Sequence, residues 1–245
     1  MAKNKFRYFN VFYWWRKFTF SSTFQNLWLS KKTNKREAVF NSIYKSYHWK
    51  DYYKPEKDES YSGFGSDKHL GDNVVTSLKN FIENNKVEKI LDLACGDFNW
   101  MKEIVLNNNS INYTGYEIVD SIIKSNNRLY SNEKIVFKRV DIIENSLTEK
   151  FDLIIIKDLF QHIKNDEILL ILNKLKSNKS KFLAITTNPD IESNVDLKNF
   201  GHHRYINIEN KPFMLNKPFL SFTANKNEKY LKKINIYNLQ NLNIL

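Results

Sequence analysis

The chain has 245 residues, enough for one generous domain or one domain with a terminal appendage, and its 42% hydrophobic and 15% aromatic content supports a real core. The single cysteine, Cys95, excludes an intramolecular disulfide framework and a cysteine-rich zinc site, and it fits a reducing, cytoplasmic setting. The net charge of +11 is concentrated: residues 1–36 carry nine Lys and Arg and no acid, which leaves 29 basic against 27 acidic residues, or +2, for everything that follows.

That basic segment also holds Phe6, Tyr8, Phe9, Phe12, Tyr13, Trp14, Trp15, Phe18, Phe20, Phe24 and Trp28. Basic residues interleaved with aromatics suit a peripheral contact at the inner membrane face, with the rings at headgroup depth. They equally suit stacking on single-stranded nucleic acid, or packing on the body or on a second subunit. No apolar run approaches the roughly 18 residues of a spanning helix, and no clean secretory leader precedes the body. Residues 1–36 therefore read as a basic aromatic extension, and 37–245 as the folded domain.

Within that domain, Val39, Phe40, Ile43, Tyr44 and Tyr47 fall at helical spacing, which predicts a helix over 37–53. A loop follows over 54–72, containing Ser62-Gly63-Phe64-Gly65-Ser66-Asp67, and then a helix over 72–84. Next, strands alternate with helices. The predicted strands are 89–93, 112–117, 135–139, 151–156 and 181–186, and the helices are 99–106, 119–130 and 165–176. Apolar strands spaced by helices indicate a parallel sheet covered on both faces. Residues 187–218 read as loop and hold three of the four prolines, Pro189, Pro212 and Pro218. Two final strands, 219–224 and 233–239, fit an antiparallel pair closing the sheet. The predicted architecture is an α/β, Rossmann-like, doubly wound sheet of seven mostly parallel strands with an antiparallel C-terminal pair, with no internal repeat and no second domain.

Acids mark the carboxyl ends of four strands: Asp92, Glu117, Asp141 and Asp158. One such acid is ordinarily a helix cap or a solvated loop residue, but four in succession on one sheet edge point to a ligand site. Glu117 lies 25 residues past Asp92, close to the spacing at which a strand 2 acid meets a ribose hydroxyl pair. A carboxylate accepts both hydroxyl hydrogen bonds, which neutral side chains seldom match. The loop after strand 1, Ala94-Cys95-Gly96, lacks the full G-x-G-x-x-G pattern, so a nucleoside without phosphates is the better fit.

These residues resemble the class I S-adenosylmethionine (AdoMet)-dependent methyltransferases. The match rests on Leu91-Asp92-Leu93-Ala94-Cys95-Gly96, Tyr113-Thr114-Gly115-Tyr116-Glu117-Ile118, Val140-Asp141-Ile142 and Phe151-Asp152-Leu153-Ile154-Ile155-Ile156-Lys157-Asp158. The resemblance implies a seven-stranded sheet with a reversed last strand and AdoMet as cofactor. It places Asp92, Ala94 and Gly96 at the methionine end, Glu117 and Ile118 at the ribose, Asp141 against the adenine amino group and Ile142 against the ring. Ala94 departs from the glycine common there; a negative φ would let it serve. A narrower resemblance, to one bacterial subfamily associated with surface-glycan or other small-molecule pathways, rests on Tyr44, Trp49, the Ser62–Ser66 loop, Cys95-Gly96-Asp97-Phe98-Asn99-Trp100-Met101, Lys157-Asp158-Leu159-Phe160-Gln161-His162, and Asn194, Asp196, Gly201, Arg204, Asn207 and Pro212-Phe213. It covers roughly 40–245, and it puts Asp97 and Trp100 beside the methionine end, with Lys157 neutralising a nearby acid.

For a hydroxyl acceptor the protein must remove a proton. His162, four residues after Asp158 and just past strand 4, is the candidate base, since an imidazole titrates near ~6.5; a structural or capping histidine is the alternative. Asp158 would orient His162, face the substrate or cap the next helix. Asn188, Asn194 and Arg204 in the polar loop are candidates to read a small-molecule or glycan acceptor. Adjacent His202-His203 cannot readily face one metal, and no metal site is expected. A nucleic-acid methyltransferase would carry an Asn/Asp-Pro-Pro-aromatic run where this chain has Asp158-Leu159-Phe160-Gln161, and the near-neutral body offers no broad phosphate-binding face. A non-catalytic AdoMet-binding module is the remaining alternative, against which the four strand-end acids argue.

Overall fold

The structure, a computed structural model, describes residues 36–50, 59–66, 68–225 and 229–243. The basic aromatic extension therefore lies outside the described residues, apart from Arg36. Seven strands form one sheet: β1 (Lys89–Leu93), β2 (Asn112–Glu117), β3 (Ile135–Arg139), β4 (Leu153–Ile156), β5 (Phe182–Thr187), β6 (Leu220–Asn225) and β7 (Lys232–Asn238). Their order is β3-β2-β1-β4-β5-β7-β6, with β1 to β5 parallel and β7 antiparallel to both β5 and β6. Strands are added to one side of β1 up to β3 and to its other side from β4 onward, so the crevice outside the carboxyl ends of β1 and β4 is where a ligand binds in such a sheet.

The sheet is buried on both sides because its strands alternate between two apolar clusters. On β4, Ile154 and Ile156 join Leu91 and Leu93 under α5 (Asn165–Asn178), and Ile168, Ile171, Leu172 and Leu175 of that helix fill the same layer. Leu153 and Ile155 face the opposite way, against Ile90, Tyr113 and Phe137 and the helix α2 (Lys68–Asn84), through Leu78, Phe81 and Ile82. The helix α1 (Arg36–Ser46) sits over the first cluster and contributes Val39, Phe40, Ile43 and Tyr44.

Several boundaries differ from the sequence reading. Helix α1 stops at Ser46, because Tyr47 takes a left-handed φ of 54°, and a short 3-10 turn at His48–Lys50 follows. The predicted residues 51–53 lie outside the described ones. Helix α2 starts at Lys68, four residues earlier than expected. The helix after β1 shrinks to α3 (Lys102–Val105): Phe98, at φ 63°, turns the chain sharply and drops its ring into a nest of Tyr113, Tyr130 and Phe137 at 4.9, 5.3 and 5.1 Å. Helix α4 (Asp120–Tyr130) follows β2 much as predicted.

Candidate active site

A cavity opens at the β1/β4 reversal, where ligands bind in an open sheet of this kind. Its lining includes Ala94, Glu117, Ile118, Asp141, Ile142, Lys157, Asp158 and His162. Eight of the residues singled out from sequence thus meet on one surface, from the ends of β1, β2, β3 and β4.

At the β2 end, Glu117 is 5% exposed, and its carboxylate accepts the backbone N–H groups of Ile118 (2.8 Å), Val119 (3.1 Å) and Gly96 (3.3 Å). Burial pushes its carboxyl up to about 7, against the pull of these three donors. After β3, Asp141 accepts the Ile143 N–H at 2.9 Å and the Arg36 Nε at 3.1 Å. The Arg36 guanidinium also reaches Glu167 (2.9 Å) and Glu144 (3.2 Å), so one cation ties α1 to the β3 end and to α5. Asp92 does not line this cavity. It is buried one layer below, accepts the Tyr113 hydroxyl at 3.0 Å, and is pushed up to about 7 by burial.

The turn after β1 explains the small residues. Ala94 has φ 64°, not the negative value expected, so this alanine holds a left-handed conformation that costs an L-residue about 1–2 kcal/mol and that glycine adopts freely. Gly96 has no room for a side chain: a Cβ there would meet Ser62 Oγ at 2.2 Å and Tyr44 Oη at 3.4 Å. The loop 60–66 thus lies directly on the β1 turn.

Asp97 holds it there. Its carboxylate accepts Ser60 Oγ at 2.9 Å, the Tyr61 N–H at 2.6 Å and Ser62 Oγ at 3.2 Å. Asp97 does not line the cavity, and its carboxylate is taken up in this anchoring. Trp100 does not line the cavity either: it is buried in the opposite layer, with Lys157 Nζ 5.5 Å from its ring centre.

At the β4 end the electrostatics reverse. Asp158 adopts φ 60°, which Asp tolerates better than most residues, and its N–H donates to Thr186 Oγ1 at 3.0 Å. Its carboxylate lies 2.7 Å from Lys157 Nζ and 3.5 Å from Lys232 Nζ. Burial alone would raise its pKa, but Lys157 and then Lys232 overcome that and hold it well below the usual carboxylate range. Lys157 also donates to the Gly65 carbonyl at 2.7 Å, and a Cβ on Gly65 would meet Asp158 Oδ2 at 2.9 Å. The loop therefore closes over both ends of the site.

His162 lines the same cavity, with Nδ1 3.1 Å from the His202 carbonyl. A carbonyl only accepts, so Nδ1 carries the hydrogen and Nε2 keeps its lone pair. Burial pushes the imidazole down to about 4, and neighbouring His203 adds to the shift. His162 is therefore neutral at pH 7, free to accept a proton but a weaker base than the free imidazole assumed from sequence. Its ring packs on Trp49 at 4.9 Å.

Asn188, Asn194 and Arg204 are not brought to this cavity. Asn188 is fully buried, accepting the Ile206 N–H and donating to the Leu231 carbonyl. Asn194 bridges the Asn207 and Lys211 carbonyls and accepts the Asn207 N–H. Arg204 donates to the Val195 and Ile163 carbonyls. Asn188 and Arg204 tie the long loop after β5 to the body, and Asn194 braces that loop internally, so the structure does not bring these three side chains together with the cavity residues. Conversely, Arg36, Phe40, Tyr44 and Trp49 line the cavity without having been assigned a site role from sequence, while Ser62 and Ser66 line it from a loop expected to close over a ligand. Tyr44, Trp49 and the Ser62–Ser66 loop belong to the motifs carrying the narrower resemblance, which is the signal that points to them.

Among the described residues, no helix is long and apolar enough to cross a membrane, and no three His, Cys, Asp or Glu cluster as metal ligands. Strand order, the reversed β7 and the cavity position together define the Rossmann-like methyltransferase fold. Solved structures with this fold include magnesium protoporphyrin IX methyltransferase (ChlM) from Synechocystis PCC 6803. With bound SAH it is 13% identical at a TM-score of 0.54, over 82% of this chain and 98% of that chain. With bound SAM it is 12% identical at 0.54, over 83% and 98%. The methyltransferase domain of bacterial-CtHen1-CN is 10% identical at 0.50, over 68% and 97%. No protein-family model matches the sequence, and no curated protein matches it.

Proposed function

We propose that this chain is an AdoMet-dependent methyltransferase that acts on a hydroxyl of a small-molecule or glycan acceptor. One observation carries the reading: Glu117, Asp141 and Asp158, from the ends of three parallel strands, meet with His162 on a single cavity at the sheet's reversal point. The residues fit the cofactor. Glu117 is positioned to accept two ribose hydroxyls, Asp141 with Ile142 and Ile118 frames an adenine, and Ala94 in its left-handed turn lets backbone approach the methionine end.

AdoMet supplies the methyl group on a sulfonium, so the bond-breaking power is its own. The chain contributes position and proton handling. His162 Nε2, with Nδ1 fixed on the His202 carbonyl, takes the proton of the acceptor hydroxyl. Asp158, held ionised by Lys157 and Lys232, orients that hydroxyl. The loop 60–66 keeps water from the reacting atoms. A screen of hydroxylated glycan intermediates and nucleotide sugars with labelled AdoMet tests the reaction: transfer to a hydroxyl is expected, and transfer only to RNA or to amines overturns the acceptor class.

The proposal extends to the N-terminal segment, whose nine positive charges and aromatic residues suit a peripheral membrane contact. Liposome flotation of the full chain against a version starting at Glu37 should show binding by the full chain alone. Equal flotation contradicts it.

A further inference from the structure

Tyr44 of α1 lines the cavity and is 7% exposed, and its hydroxyl lies over the β1 turn, where a Cβ on Gly96 would meet it at 3.4 Å. The Tyr44 hydroxyl is 3.1 Å from Ser62 Oγ, and either oxygen has a hydrogen to give. The bonds around Ser62 decide which one donates. Ser62 Oγ has one hydrogen and lies 3.2 Å from the Asp97 carboxylate, which only accepts and is a stronger acceptor than a phenol. Ser62 Oγ also accepts the Asp97 N–H at 3.1 Å. With the Ser62 hydrogen committed to Asp97, the Tyr44 hydroxyl donates to Ser62. What remains is acceptor capacity on Tyr44 Oη, which no donor among the described residues takes up. Burial, and then the charges of Glu117 and Asp97, hold the phenol well above its ordinary range, so it stays neutral in anionic surroundings.

We propose that Tyr44 is a cofactor-binding residue whose hydroxyl oxygen accepts a hydrogen bond from the α-ammonium of the AdoMet methionine moiety. The inference rests on the methyltransferase reading and deepens it. The methionine moiety ends in two groups of opposite kind: an ammonium, which only donates, and a carboxylate, which only accepts. The open capacity at the β1 turn is an acceptor, so it takes the ammonium and not the carboxylate. The charges of Glu117 and Asp97 act in the same direction, attracting a cation and repelling an anion. The ribose hydroxyls, which also donate, are met by the two oxygens of Glu117. The hydrogen-bonded series from Tyr44 through Ser62 to Asp97 thus does two things: it fastens the loop 60–66, and it turns the Tyr44 oxygen into a fixed acceptor.

The test is calorimetry on the full chain with three ligands: AdoHcy, its deaminated analogue, which keeps the carboxylate, and its decarboxylated analogue, which keeps the ammonium. Tyr44→Phe removes the hydroxyl and keeps the ring that packs edge-on to Trp49. It is expected to weaken AdoHcy and the decarboxylated analogue about tenfold each, the scale of one hydrogen bond to a charged group, and to leave the deaminated analogue unaffected. A Tyr44 that only supports the loop, or that meets a ribose hydroxyl, would cost all three ligands alike, and that result overturns the proposal. Loss confined to the two carboxylate-bearing ligands overturns it too, since Tyr44 would then be a donor, and so does unchanged affinity for all three. If Tyr44→Phe does not fold, Ser62→Ala, which frees the Tyr44 hydrogen, takes its place. A greater loss with the two ammonium-bearing ligands than with the deaminated one is then required, and its absence overturns the proposal. Failure of AdoHcy to bind the unaltered chain overturns the methyltransferase reading. AdoHcy binding with the wrong ligand pattern overturns this inference only.

Discussion

The two ends of the cavity hold buried carboxylates in opposite states. Glu117, at the β2 end, has only backbone N–H partners, and burial raises it to about 7. Asp158, at the β4 end, is clasped by Lys157 and Lys232 and stays ionised far below that pH. The difference teaches what each end is built for. Glu117 sits where its charge is fully developed only above neutrality, and where ligand hydroxyls can stabilise it. Asp158 is a permanent anion whose charge is balanced by the protein itself, so it can direct a hydroxyl without being titrated.

Breaking the Asp158 cluster should have the largest effect. Removing one partner of a buried ion pair typically costs about 3–5 kcal/mol, so Asp158→Ala should lower the unfolding free energy from denaturant titration by that scale, while the corresponding change at solvent-exposed Asp120 should be nearly silent. An equal, small effect at both positions contradicts the two-lysine clasp. Next comes the loop that roofs both ends. Asp97→Ala removes charge-assisted bonds from Ser60, Tyr61 and Ser62, each worth about 1.5–3 kcal/mol before the loop relaxes. It should cost about 2–3 kcal/mol and expose 59–66 to proteolysis. Unchanged protease resistance removes the anchoring role.

The contrast in ionisation gives a pH test with a definite sign. A ribose hydroxyl pair favours ionised Glu117, and ionisation is lost as pH falls through about 7. AdoHcy affinity should therefore be about tenfold weaker at pH 6 than at pH 8, and this slope should vanish in Glu117→Gln. The folding consequence runs the other way. Because the folded-state value is raised above the unfolded one near 4.5, the native protein binds the extra proton between these values. The contribution of Glu117 to stability is complete below about 4.5 and is lost as pH rises through 7, so Glu117→Gln should flatten that decline in urea titrations. The smallest effect belongs to the β1 turn: Ala94→Gly relieves a left-handed φ but loosens the unfolded chain, and should change stability by about 1 kcal/mol or less. A large loss would mean that the Ala94 methyl group matters to packing.

The same two ends differ in how much of them was legible in the sequence. The cofactor end is local chemistry: an acid closing each apolar strand, at a spacing set by one strand–helix unit, so Glu117 and Asp141 could be placed at the site edge from pattern, with Ile142 added by the family resemblance. The parallel sheet and its antiparallel C-terminal pair followed from strand–helix alternation and from the final two short runs, whereas the strand order is visible only in the fold. The acceptor end is assembled from segments far apart in sequence. Trp49 reaches His162 only because α1 folds back over the sheet, and no periodicity announces that. The polar loop misled for a related reason. Asn188, Asn194 and Arg204 have the composition of a sugar-reading surface, but a long loop must satisfy its own carbonyls, and these side chains do so. Asp97 shows the same ambiguity: its place in the motif marked it as important, but only the folded contacts with Ser60 and Ser62 show that it holds a roof.

Calorimetry of AdoHcy binding to the full chain and to Glu117→Ala tests the central claim most directly. One-site binding is predicted for the unaltered protein, with a loss of about a hundredfold in Glu117→Ala, as two hydrogen bonds to a charged group disappear. No binding to the unaltered protein, or equal affinity in both, would contradict a cofactor seated on the β2 carboxylate.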